Sequence, residues 1–172
     1  MAGIPQYGVH RDAANSRVAL NYAGTRRIHV DGNGLAINGT LTGVTDITSS
    51  GAVLSSSATA ASGYATGAGG AVTQITSAST GVTLSKPTGQ ITTVALTTAA
   101  AAEERFTVTN TLVAATDVIA LSTTYNGAGT PMLSVVNVAA GAFDIVISNV
   151  HAANALNAVM VINFAVIKGV AA

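Results

Sequence analysis

The chain has 172 residues, of which 49% are apolar and only 8% charged, and its seven basic and seven acidic side chains cancel to a formal net charge of zero. An average soluble domain is about 25% charged, so Thr, Ser, Asn and Gly must supply most of the polar surface. A neutral chain has no general attraction for nucleic acid or an anionic membrane, and one without cysteine has neither disulfides nor thiolate zinc sites.

The length suits one ordinary domain plus an arm, or two small modules. A surface this poor in charge also lacks the repulsion that keeps monomers apart, which predicts an assembled protein. The start, M-A-G-I-P-Q-Y-G-V-H-R-D, has neither the basic nor the apolar region of a signal peptide. Synthesis and assembly in a cytoplasm are expected.

Residues 1–34 hold four of the five arginines, two of the three histidines and half of the tyrosines, and close on the turn Asp31-Gly32-Asn33-Gly34. Arg and Tyr dominate interfaces because a guanidinium fork and a rigid amphipathic ring gain contact at little ordering cost. The segment reads as an extended N-terminal arm, too short and polar for a core of its own. Tyr7, Arg11, Arg17, Tyr22, Arg26 and Arg27 are its anchors, and Ile4, Pro5 and Leu20 its apolar contacts. The competing reading makes the same residues extra strands on the protein's own assembly. His29-Val30-Asp31 places two metal-ligand types on one side of a strand, but a His before a turn is more simply a hydrogen-bonded surface residue. No metal or cofactor is expected.

Residues 35–70 form a Gly/Ser/Thr-rich connector. Leu41, Val44 and Ile47 recur every three residues, which a helix of 3.6-residue period built from Thr and Gly does not explain. A threefold stalk, with three copies turning those side chains to a shared axis, fits the spacing; a flexible linker fits the composition. The run A-S-G-Y-A-T-G-A-G-G-A-V-T-Q-I then poses a choice. It lacks the third glycine of a dinucleotide fingerprint and the Gly-Lys-Ser/Thr of a phosphate loop, so a hinge into the next domain is expected, with Tyr64 packing against a neighbouring copy.

From residue 71 to 172, β-branched runs recur about every ten residues between Gly, Asn, Pro and Ala-rich breaks. The expected strands are A-V-T-Q-I-T, G-V-T-L, Q-I-T-T-V-A-L-T, R-F-T-V-T-N-T-L, D-V-I-A-L-S, M-L-S-V-V-N-V, A-F-D-I-V-I-S-N-V and A-V-M-V-I-N-F-A-V-I. In the fourth, Phe106, Val108 and Asn110 point one way and Thr107, Thr109 and Thr111 the other. Eight short strands predict a mainly β domain, a β-sandwich or jelly roll. Ala99 to Arg105 is too short for an independent helix and reads as a loop. The apolar run near the end, broken by Asn163 and Lys168, is too short to span a bilayer and reads as a strand.

Catalytic constellations are absent from the pattern. Glu103 and Glu104 are adjacent and face opposite sides of any strand, Asp46, Asp117 and Asp144 lie far apart, and no G-x-S-x-G elbow accompanies His151. The sequon Asn38-Gly39-Thr40 carries no meaning without secretion. The expectation is a protein that is not an enzyme.

The stretch G-Y-A-T-G-A-G-G-A-V-T-Q (63–74), then S-T-G-V-T-L (79–84), and F-A-V-I-K-G near the C-terminus resemble the C-terminal β domains of tailed-phage head fibres, capsid decoration (cement) proteins and some tail-fibre proteins. The resemblance covers roughly the last 110 residues and leaves the N-terminal third unmatched. It implies a homotrimeric structural protein of the virion without catalytic residues. The partner implied is the major capsid protein at the outer capsid surface, gripped by the arm. The alternative is an adhesin that touches host glycan or protein through loops such as Thr123-Thr124-Tyr125-Asn126-Gly127; the lack of Trp and scarcity of stacking rings speak against it.

Overall fold

In the computed structural model the described residues are the strand segments 7–12, 17–22, 25–31 and 34–37, followed by residues 62–171. The chain divides into two compact units, Met1–Ser56 and Ser57–Ala172, each taken by itself below.

In the first unit, β1 (Tyr7–Asp12), β2 (Arg17–Tyr22), β3 (Thr25–Asp31) and β4 (Gly34–Ile37) pair in chain order as an antiparallel meander. The register explains why these residues form a sheet. Val9, Leu20, Ile28 and Ile37 stand in one row across all four strands, and Val18, Val30 and Leu35 in another two positions away. Between them runs His10, Ala19, His29 and Ala36. Because alternate positions of a strand belong to opposite faces, aligned apolar rows specify the register. The segment read as an extended arm therefore has its described residues hydrogen-bonded into a sheet. Strands are the competing reading of these residues; the four-stranded pairing itself escapes it because only cross-strand alignment sums the apolar alternation of such short segments.

The second unit is mainly β, with no helix among the described residues. Its strands are β5 (Ala71–Thr73), β6 (Val82–Thr83), β7 (Thr88–Thr92), β8 (Glu103–Thr109), β9 (Val118–Tyr125), β10 (Pro131–Ala139), β11 (Ala142–Asn149) and β12 (Met160–Ile167). Each of the eight expected runs overlaps one of them. They form two mixed four-stranded sheets, ordered β5-β7-β12-β9 and β10-β11-β8-β6, in a sandwich-like arrangement. The chain changes sheet at every connection except the β10–β11 hairpin. Each crossing reverses direction, so a strand two crossings on returns to its sheet parallel: β7 beside β5, and β8 beside β6. Those two pairs depart from an all-antiparallel jelly roll.

The core lies between the sheets. Met160, Ile162, Phe164 and Val166 of β12 face Phe143, Ile145 and Ile147 of β11, with Phe106 and Val108 of β8 alongside, all buried. The Phe143 and Phe164 rings meet edge to face with centroids 5.7 Å apart, the geometry aromatic quadrupoles favour. Gly89 stands opposite Phe164 in the β7–β12 ladder, and a Cβ there would lie 2.8 Å from that ring. Leu96, Val113 and Leu156 plug the ends from loops.

Boundaries differ from the expected runs by a few residues, and β9 runs on to Tyr125 through the Thr123-Thr124-Tyr125 expected in a loop. β8 begins at Glu103, inside the run expected as a loop. β7 ends at Thr92, although Leu96 N–H still bonds the Ala158 carbonyl and Leu156 N–H the Thr98 carbonyl, outside a regular ladder.

Candidate functional site

Of the residues assigned to capsid binding, Tyr7 and Arg11 lie on β1, Arg17, Leu20 and Tyr22 on β2, and Arg26 and Arg27 on β3; Ile4 lies outside the described residues. The meander places Tyr7 opposite Tyr22, Asp12 opposite Arg17 and Asn21 opposite Arg26. Arg11 shares the row of Val18, Val30 and Leu35 instead. Arg27 has no partner position, because the β2–β3 register slips between Leu20 and Asn21. That slip is a β-bulge, a device that re-aims a strand locally. The fold thus gathers seven of the eight residues in one small sheet but divides its arginines between rows. Leu41, Val44 and Ile47, assigned to trimer contacts, lie outside the described residues.

Tyr64, the remaining trimer residue, is half exposed, and its hydroxyl donates to the Val166 carbonyl of its own chain. It lines a largely apolar pocket of about 310 Å³ with Pro87, Leu112, Val166 and Lys168. In the glycine-rich stretch beside it, Gly67 has φ of +94°, which favours glycine, and a Cβ on Gly70 would lie 2.8 Å from Leu84 Cδ1. The backbone turn at Gly67 and the close approach at Gly70 account for two of the four glycines.

The chain enters the second unit at the end where it also leaves. There Asp117, without exposed side-chain surface, accepts from Lys168 Nζ at 2.5 Å, Ala114 N–H at 2.8 Å and Gly169 N–H at 3.1 Å. Lys168 Nζ also donates to the Leu112 carbonyl at 2.9 Å. The lysine hydrogen bond, reinforced by that of Ala114, holds the Asp117 carboxyl below its ordinary value of 3.8 against the opposing effect of burial. On the outer face of the second sheet, Asp144 accepts from Thr107 Oγ1 at 2.7 Å, Arg105 Nε at 3.0 Å and Asn137 Nδ2 at 3.0 Å. Thr107 first, then Arg105, hold this carboxyl low as well. Asn137 adopts φ of +53° where the β10–β11 register slips.

At the opposite end, the buried Asn149 is a hub. Its Nδ2 faces the carbonyls of Thr98, Ala99 and Asn154 at 3.2, 3.0 and 2.8 Å, and its Oδ1 accepts from Thr130 and His151 N–H. His151 Nδ1 accepts from the N–H groups of Ala153 and Asn154. Tyr125 is braced too: its hydroxyl donates to the Ala128 carbonyl and accepts from Asn157 N–H. Sequence reading named Asp117 and Asp144 but found them no partners, since the partners lie 51 and 39 residues away. Asn149 gave no signal at all.

Chemically, these groups hold loops. Both low-titrating carboxylates are engaged with cations, Glu103 and Glu104 point to opposite sides of β8, and His151 is bound to its own loop. Among the described residues no three His, Asp or Glu side chains are grouped to hold a metal ion.

No family model, no curated protein and no solved structure matches this chain.

Proposed function

We propose that this chain is a structural virion protein of a tailed bacteriophage, a homotrimeric capsid decoration (cement) or head-fibre protein that binds the outer surface of the assembled shell through its first unit and stabilises it. The observation that carries the reading is the division of chemistry along the chain. Four of five arginines precede the β unit, whose start and end motifs resemble those of phage decoration proteins. A trimer seated where shell subunits meet adds interface across their boundaries. Binding only the assembled lattice stabilises it by mass action.

The test is co-sedimentation of the full-length protein with emptied capsids, with and without residues 1–37. Removing 1–37 takes away the whole meander, whereas a cut after Arg27 would split β3. Saturable binding at hundreds of copies, lost on deletion while the trimer persists, supports decoration. Trimers that bind no capsid overturn it.

A second reading, an adhesin, rests on one observation. The end of the second unit away from Tyr64 and Lys168 carries the loops 93–102 and 150–159, tied together through Asn149, with the shorter 126–130 beside them. A handful of copies per virion and retention on host cells would favour it.

A further inference from the structure

Strand-borne charge in the second unit sits on one sheet only. Glu103, Glu104 and Arg105 belong to β8 and Asp144 to β11, while β5, β7, β12 and β9 carry no ionisable Asp, Glu, Lys or Arg. The outward positions of that uncharged sheet follow from register and burial. Val118 stands opposite Ile167, Ala120 opposite Ala165 and Ser122 opposite Asn163, and Asn163 stands opposite Gln90 on the next strand. Val118 and Ile167 are 58% and 55% exposed although both are large and apolar. Beside them the surface dips over Ala120 and Ala165 in a depression of about 230 Å³. Further along, Gln90 Nε2 donates to Asn163 Oδ1 at 3.1 Å, and Asn163 Nδ2 lies 3.4 Å from Ser122 Oγ.

The edges of the two sheets differ in the same sense. β10 is a long edge strand blunted by Pro131 at its start and by the bulge at Asn137. β9 is an eight-residue edge with no proline, no charge and no register slip against β12. Soluble proteins usually protect such edges with charge, proline or a bulge.

We infer that the outer face of the β5-β7-β12-β9 sheet, with its β9 edge, is the surface on which neighbouring copies of this chain meet; the inference rests on the trimeric reading above. A second copy is the occupant because the groups on the face can serve either side of a contact between identical chains. Amides and hydroxyls both donate and accept, so Gln90, Asn163 and Ser122 suit the heterologous contacts of a threefold ring, which a face of one charge sign meeting its like does not. The opposite face keeps the Arg105–Asp144 pair and stays in water. Four strands about 4.8 Å apart, averaging six residues at about 3.3 Å each, make a face of roughly 400 Å². A stable specific interface takes about 800 Å² per partner. The face is thus about half of what is needed, so by itself it suits one part of a larger contact.

The experiment is sedimentation equilibrium of the full-length chain with Thr124→Lys and Ala120→Glu on this face, and Ser134→Lys on the outer face of the other sheet as control. All three positions are exposed; far-UV circular dichroism checks folding, and Gln90→Lys replaces either face variant that unfolds. Expected is a wild-type trimer whose association weakens at least tenfold in the face variants and is unchanged in Ser134→Lys. A wild-type trimer with unaffected face variants, or equal weakening by the control, overturns this interface and leaves the trimer standing. A monomeric wild type overturns the trimeric reading itself.

Discussion

Lys168 Nζ lies 2.5 Å from Asp117 Oδ2, with the lysine side chain 65% exposed and the aspartate fully covered. The pair joins the last residues of β12's exit to the 112–117 loop, and Thr116 Oγ1 closes the same contact by donating to the Gly169 carbonyl at 2.9 Å. The two partners are unequal. A solvated ammonium loses little when its partner goes, but a covered carboxylate without its cation and N–H donors is left uncompensated.

Lys168→Met is therefore expected to destabilise the protein, and Asp117→Asn to destabilise it with a pH signature. Both Asp117 and Asp144 titrate below their ordinary value of 3.8 in the folded protein. Their contribution is complete above that value and is lost as pH falls through the folded values, because the unfolded chain binds the protons first. Urea unfolding between about pH 7 and pH 2.5 should show a wild-type advantage over Asp117→Asn that shrinks only in the acid range. A deficit that stays constant to the lowest pH would remove the carboxylate from the account.

Asn149 is the second expected weak point. Asn149→Ala leaves the Asn154 carbonyl and the Thr130 and His151 N–H groups without their partner, while the Thr98 and Ala99 carbonyls keep the N–H groups of Leu156 and Ala102. Each buried group left unpaired costs about 1–3 kcal/mol, so the urea midpoint should fall by the equivalent of about 3 kcal/mol or more. Asn149→Asp should be worse, since a carboxylate would face three carbonyl oxygens. A loss of less than 1 kcal/mol, the net worth of about one hydrogen bond, would show that water takes over the hub.

The third prediction concerns the core. Phe143→Ala should cost about 3–5 kcal/mol. Gly89→Ala should cost about 1–3 kcal/mol by overpacking, as its Cβ would lie 2.5 Å from Leu84 Cδ2 and 2.8 Å from Phe164. Phe164→Leu removes part of that obstruction, so the double variant should be less destabilised than the sum of the singles, measured by a thermodynamic cycle. Strict additivity would mean that the glycine's close contact is with Leu84 alone.

The fourth follows from the proposed function. Arg26→Ala and Arg27→Ala should each weaken capsid binding about tenfold, equivalent to about 1.4 kcal/mol, with the second unit's unfolding midpoint unchanged. Equal binding by all variants would move the capsid contact off this sheet.

Several features were legible from residue order because their physics is local. Phe106, Val108 and Asn110 are buried while Thr107, Thr109 and Thr111 are exposed, as alternation along one strand requires. The same reasoning located all eight runs of the second unit and set the two glutamates on opposite sides of β8. It failed where evidence is shared between distant segments. The row Val9, Leu20, Ile28 and Ile37 draws one residue from each of four strands, so no window along the chain displays it.

What residue order determined by itself was the class of structure and the distribution of charge: short β-branched runs between turn formers must be strands, and so few ionised groups leave little of the second unit's surface charged. Which carboxylate meets which cation, which asparagine ties the loops and which sheet is left without charge were decided only by tertiary structure. Those outcomes depend on how each crossing between sheets sets the direction and neighbours of the next strand. Pairing of that kind joins positions tens of residues apart whose local sequences carry no record of one another.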